Sequence, residues 1–220
     1  MIEFEGITFR WLGHDGFIIT SSSGKTVCID PFQVKGTFEP VDVLVSTHEH
    51  FDHCNFDDLK KFVSSEKTEV IGIPMARETL EKLDCKAVHY VGPSDKETIS
   101  SIAFKFVPAY NINKFREPGV PFHPKDDKKI GLVFEMDGQR VYHAGDTDNI
   151  PEMKDIKPDV ALIPVSGTYV MTAPEAIEAT KVLNPKLVIP MHFGAIVGDQ
   201  SMAEEFKKGV SCKVEIPSLE

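Results

Sequence analysis

At 220 residues, 41% hydrophobic and 26% charged, the chain has the composition of a globular protein with a sizeable core, not of a disordered or fibrous one. A net charge of −10 argues against long nucleic acid as a partner, because neutralising phosphates takes clustered Lys and Arg. The longest apolar runs, such as residues 160–165, fall far short of the roughly 20 residues that cross a bilayer, and no basic, apolar leader opens the chain. The expectation is a cytoplasmic protein folded as one domain over residues 1–220, its four scattered cysteines (Cys28, Cys54, Cys85, Cys212) reduced.

In chain order, the first third reads as strands. Residues 7–12 lead through Gly13-His14-Asp15-Gly16, a turn, into 17–20; Ser21-Ser22-Ser23-Gly24 turns the chain again before 25–30. Residues 41–46 are almost continuously apolar, as in a strand buried on both faces, and the histidines begin directly after Thr47. Asn55 is placed to cap a helix over 56–64. A strand at 70–73, a helix at 76–83 and strands at 87–91 and 102–107 follow. Residues 108–129 turn to Pro, Asn, Gly and charge, which predicts a long functional loop. Strands at 130–136 and 140–143 join across Asp137-Gly138. A buried strand spans 160–165, Thr172-x-x-Glu175 is a capping box opening a helix to Leu183, and a strand at 187–190 ends in Met191-His192. Strands outnumber helices in both halves, so the predicted class is α/β, with paired sheets covered by helices on the outside.

His48-Glu49-His50-Phe51-Asp52-His53 packs three of the chain's 8 histidines and a carboxylate into six residues. Alternate residues past a strand end point to one side, so His48 and His50 can share one ion, and Asp52 and His53, after a bend, a second. Mixed imidazole and carboxylate suits zinc, with manganese and iron as alternatives. The expected cofactor is one or two divalent ions.

This H-x-H-x-D-H run resembles the metal signature of the metallo-β-lactamase superfamily, which implies a four-layer αβ/βα sandwich with its metal site at one edge of the two sheets. His143-Ala144-Gly145-Asp146-Thr147 is similar to the family's Gly-Asp segment, implying that Asp146 bridges two ions. Pro190-Met191-His192 resembles its last metal-binding segment, and Asp30-Pro31 its supporting acidic turn. Trp11-Leu12-Gly13-His14 and Val107-Pro108-Ala109-Tyr110-Asn111 look like the small metal-dependent hydrolase branch, similar to the ascorbate-phosphate lactonase and N-acylphosphatidylethanolamine phospholipase groups. Glyoxalase II carries an extra domain for which 220 residues leave no room, and the flavodiiron proteins carry Glu where His50 stands.

The chain departs from the family at one point: the third histidine of the first ion is missing near Tyr110-Asn111. Asn111, water, or His123 from the long loop are the alternatives. The expected ligands are thus His48, His50, Asp52, His53, Asp146, His192 and His123. Asp52 also serves as the catalytic carboxylate, and His14 lies at the edge of the site, touching substrate. His143 reads as a packed, supporting residue, and 166–169 as a substrate-side loop. The implied reaction is hydrolysis of an ester-type bond (phosphodiester, lactone or thioester) in a small molecule by a metal-bound hydroxide. Two rivals remain: a non-catalytic metal-binding module that lost its chemistry with the third histidine, and an RNA-processing nuclease. Sequence leaves oligomeric state open, with a homo-oligomer the commonest soluble assembly.

Overall fold

Residues 1–219 are described by a computed structural model in which two seven-stranded sheets carry the core. Seven strands form the first sheet in chain order: β1 (Ile2–Phe4), β2 (Ile7–Gly13), β3 (Gly16–Thr20), β4 (Thr26–Ile29), β5 (Val43–Ser46), β6 (Glu69–Gly72) and β7 (Ala87–Tyr90). β8 (Lys96–Ile99) and β9 (Ile102–Pro108) start the second sheet. β10 (Phe115–Glu117) and β11 (Val120–Pro121) make a separate hairpin. β12 (Ile130–Met136), β13 (Gln139–His143), β14 (Val160–Pro164), β15 (Leu187–Met191) and β16 (Lys213–Val214) complete the second sheet, in the order β16-β15-β14-β13-β12-β9-β8.

Each sheet is antiparallel in one part and parallel in the other. β1 to β4 pair antiparallel, and β4, β5, β6 and β7 run parallel; β8, β9, β12 and β13 pair antiparallel, and β13 to β16 run parallel. The central parallel strands are the near-continuous apolar runs of the sequence. β5, β14 and β15 are buried at every position, as strands covered on both faces must be. Side chains from both sheets join one buried cluster, including Phe9, Phe17 and Leu44 from the first and Phe106, Phe134 and Ile163 from the second. Each such side chain contributes about 1.5–3 kcal/mol relative to exposure.

Helices fill the connections between parallel strands. α1 (Phe56–Leu59) and α2 (Arg77–Leu80) lie between β5, β6 and β7, whereas α3 (Ala173–Leu183) and α4 (Gln200–Gly209) lie between β14, β15 and β16. The result is the αβ/βα sandwich that the resemblance implies. The capping box is present: the Thr172 hydroxyl accepts from Glu175 N, and the Glu175 carboxylate accepts from Thr172 N at 2.8 Å. Among the described residues, no helix is long and apolar enough to cross a membrane.

Three expectations need correction, and some short elements were not foreseen. The helices expected at 56–64 and 76–83 are each one α turn with a 3-10 turn adjoining, at Lys60–Phe62 and Pro74–Ala76. The long loop from Pro108 to Lys129 contains the β10–β11 hairpin and a 3-10 turn at Lys125–Asp127. β1, β8 and β16 are short strands whose weak alternation hid them. α4 also went unforeseen, although Asp199 caps it through Ser201 N and Ala203 and Phe206 bury its inner face.

Candidate metal centre

The carboxyl ends of the parallel strands of both sheets meet at one edge, where ligands bind in open α/β sheets. Asp30 follows β4, the His48–His53 run follows β5, Asp146 follows β13 and His192 follows β15. Gly145, with φ +61°, makes the sharp step before Asp146, and a Cβ there would come within 2.7 Å of the Ile130 carbonyl.

Asp146 sits among four imidazoles. Its Oδ2 lies 3.3 Å from His123 Nε2, 3.4 Å from His192 Nε2 and 3.9 Å from His48 Nε2, and its Oδ1 lies 3.5 Å from His53 Nε2. The other nitrogen of each ring is held by an acceptor. His53 Nδ1–H donates to Asp30 at 2.9 Å, His123 Nδ1–H to Asn111 Oδ1 at 3.0 Å, His192 Nδ1–H to Ser166 Oγ at 2.8 Å and His48 Nδ1–H to Thr47 Oγ1 at 3.0 Å. The ring orientations follow from these partners, and all four Nε2 atoms turn towards one carboxylate. That is how ligating histidines are oriented from behind. His50 Nδ1 stands 3.1 Å from His48 Nε2, the spacing of neighbouring ligands on an ion that nitrogen approaches at about 2.0–2.1 Å.

The buried atoms left without hydrogen-bond partners test whether a cation fits. They include the Nε2 atoms of His53, His123 and His192, Asp146 Oδ1, both carboxylate oxygens of Asp15 and His14 Nδ1. Buried polar atoms are rarely left unpaired, and here they face one another. Three groupings of these side chains converge closely enough to hold an ion: His48, His50 and His123; His48, His53 and Asp146; and His14, Asp15, His53 and His192. Divalent cations therefore fit the residues present.

Electrostatics agree with that fit. Burial holds His48 well below the usual histidine range and His123 down to about 4, so both are neutral and able to donate lone pairs. Burial also pushes on His53, but Asp146 and Asp30 outweigh it and raise this imidazole well above its usual range. His53 must therefore give up a proton when a cation arrives. Burial would raise Asp52, yet the hydrogen bond from His14 and the charge of His53 hold it near 2.

His14 is placed differently from the sequence expectation of a substrate-touching edge residue. It is fully buried, its Nε2 lies 3.2 Å from Asp52 Oδ2, and its ring is tilted against that of His192 with centroids 4.2 Å apart. The β2–β3 turn is driven inward: the His14 carbonyl accepts from Trp11 Nε1 and from His192 N, and the His143 Nε2–H donates to the Asp15 carbonyl. Gly16 has no room for a side chain, with the Asp30 and Gly13 carbonyls 3.0 Å from a Cβ. The same turn carries Asp15, which sequence reasoning missed; its signal was an acidic residue beside a histidine between two glycines.

Near the position of the missing third histidine, His123 Nε2 lies 3.3 Å from Asp146 Oδ2. Asn111 does not face the centre as a ligand. Its Nδ2 donates to the Tyr169 carbonyl at 2.8 Å, and its Oδ1 accepts from both His123 N and His123 Nδ1, so what the structure brings up to Asp146 is the His123 imidazole, 3.3 Å away. Asn111 thus aims His123. Asn111→Ala should weaken metal binding by about 10–100-fold, as losses of such supporting partners do, measured by competition with a chromogenic chelator. Unchanged affinity would show that the loop holds His123 without the amide.

Three acidic residues anchor that loop. Asp148 accepts from Ile112 N and Asn113 N, Glu152 pairs with Lys125, and Glu175 accepts from Lys114, Asn113 and Thr172. Burial opposes ionisation of Glu175, but these donors bring it down to about 2. A depressed carboxyl stabilises the fold above its ordinary value near 4.5 and loses that contribution as pH falls towards 2. In Glu175→Gln the acid limb of a denaturation-midpoint profile should therefore be shallower across that window than in the parent.

Lys129 was also missed. It is 1% exposed and pairs with Glu49, whose Oε1 lies 3.6 Å from His50 Nε2, backing the half-exposed histidine. A cavity of about 530 Å³ opens onto His50, Asp52, His123 and Asp146 and is flanked by Tyr169 of the expected substrate-side loop.

The chain belongs to the metallo-β-lactamase class: the profile described as β-lactamase superfamily domain matches residues 8–192. Within that class it is a metal-dependent hydrolase. A UPF0173 metal-dependent hydrolase of Methanoculleus marisnigri is 33% identical over 91% of this chain and 87% of its own length. A Koribacter versatilis relative of the same description is 28% identical over 93% of each. A crystal structure from Parabacteroides distasonis, named as a metal-dependent hydrolase, superposes with a TM-score of 0.80 at 30% identity, covering 97% of this chain and 94% of that one.

Proposed function

We propose that the protein binds two zinc ions and hydrolyses an ester-type bond in a small molecule, a phosphodiester, lactone or thioester. The placement of Asp146 among four imidazole Nε2 atoms carries this reading. His48, His50, His123 and Asp146 would hold one ion. His53, His192 and Asp146 would hold the other, with Asp52 on its cavity side and His14 and Asp15 beneath. Charge favours two ions over one. Asp15, Asp30, Asp52 and Asp146 are all buried, and none pairs with Lys or Arg among the described residues, so two dications offset four carboxylates.

Bound divalent ions supply an activated water at neutral pH and polarise the oxygen of the scissile group. The chain's own residues orient these partners. Asp52 lines the cavity. Its role is to fix the water by accepting a hydrogen bond while His14 Nε2–H holds its other side. His123, within reach of Asp146, removes the reason for reading the fold as an inert module.

Elemental analysis of the purified protein, followed by assay on phosphodiester, lactone and thioester substrates, tests the proposal. Two equivalents of zinc are expected, with turnover that chelation abolishes and zinc restores. Turnover surviving complete metal removal refutes it.

A further inference from the structure

We infer that Arg116 anchors an anionic group of the substrate, so that the hydrolysed molecule carries a carboxylate or phosphate away from its scissile bond, beside an apolar portion. This rests on the hydrolase reading above. Arg116 is the one cationic residue lining the cavity over the metal centre; the remaining wall is built from Phe51, Phe122, Tyr169, Ile196 and Val197. Phe51 is 63% exposed and Ile196 40%, so apolar surface stands uncovered at the mouth. A substrate with no apolar part would leave it so.

The guanidinium is unusual within the chain. Arg10 lies over the Phe38 ring, Arg77 pairs with Glu81 at 2.7 Å and Arg140 donates to the Ile156 carbonyl. Arg116 has no hydrogen bond, ion pair or ring partner among the described residues. Its backbone is nonetheless held in place. Arg116 lies on β10, two residues beyond Lys114, whose carbonyl accepts from Phe122 N at 3.1 Å to close the hairpin base, and Lys114 Nζ is tied to Glu175 at 2.7 Å. The hairpin leads directly into His123, so the anion anchor and a metal-facing histidine are set by the same short segment. A planar guanidinium fork matches carboxylate and phosphate oxygens in paired hydrogen bonds. Against a net charge of −10, an anionic substrate needs such a local positive group at the site.

The test uses zinc-loaded protein and three p-nitrophenyl esters: butyrate (neutral), hemiglutarate (carboxylate) and 4-phosphonobutyrate (phosphonate). The parent should favour an anionic ester over the neutral one, chiefly through KM. Arg116→Ala should cut that preference by about tenfold or more, Arg116→Lys should restore part of it, and Lys96→Ala, on the distant β8, should keep it. The better of the two anionic arms identifies carboxylate or phosphate. A preference unchanged within twofold in Arg116→Ala, or a parent that favours butyrate, overturns the assignment. If no ester is cleaved, the hydrolase reading fails separately, and calorimetric titration with glutarate and methylphosphonate still decides: binding at least tenfold weaker in Arg116→Ala supports the anchor, and equal binding in both proteins overturns it.

Discussion

Alanine in place of Asp146 should give a folded protein that retains at most one ion per chain and has lost hydrolysis. The carboxylate is 3% exposed, and its two oxygens lie 3.3–3.9 Å from the Nε2 atoms of His123, His192, His48 and His53. Burial opposes its ionisation, but His192 and His53 pull it well below the usual carboxylate range, so it is charged where a cation would sit. Removing a bridging ligand should exceed the roughly 100-fold that loss of a supporting partner costs. Elemental analysis, circular dichroism and turnover on the same preparation separate loss of metal from loss of fold. Two retained ions with full turnover would mean that the imidazoles bind metal without the carboxylate.

How much of this centre was legible depends on how local each signal is. His48, His50, Asp52 and His53 are contiguous, and a buried strand immediately before them marks the edge they crown, so their pattern could be read directly. Asp146 and His192 came from short stretches resembling a known family, the first shortly after β13 and the second directly after the apolar β15. The doubly covered strands β5, β14 and β15 were plain as unbroken apolar runs, because burial on both faces leaves no polar alternation to interpret. The failures were non-local. Nothing in the sequence around His123 states that Asn111, twelve residues earlier, will accept its Nδ1–H and aim it inward. Lys129 and Glu49 are 80 residues apart, and each alone looks like a surface charge. The β2–β3 turn has turn composition, and turns are expected at the surface. Only the packing of Trp11, His143 and His192 around its carbonyls shows that it points into the site.

That inward turn gives the second large effect, in which Asp15→Asn should change stability with opposite signs in the loaded and stripped proteins. Asp15 is fully buried, neither carboxylate oxygen has a hydrogen-bond partner, and Oδ2 lies 3.8 Å from His53 Nε2. Without a cation, this carboxylate and Asp146 face each other in a dry site. Burial first, then the charge of Asp146, pushes Asp15 well above the usual carboxylate range. Holding that carboxyl protonated when the unfolded chain would ionise it costs stability, which the neutral amide avoids while leaving the backbone carbonyl that His143 holds. Stripped Asp15→Asn should therefore melt a few degrees above the stripped parent. With zinc bound the order reverses, because the amide removes a negative charge lying directly beneath the second ion. A tenfold loss in affinity lowers the loaded protein's stability by about 1.4 kcal/mol, or roughly 3–5 °C in a chain of this size. Paired melting curves with and without zinc check both signs. A change of the same sign in the two states would show that Asp15 acts through packing alone and that its charge does nothing for the second ion.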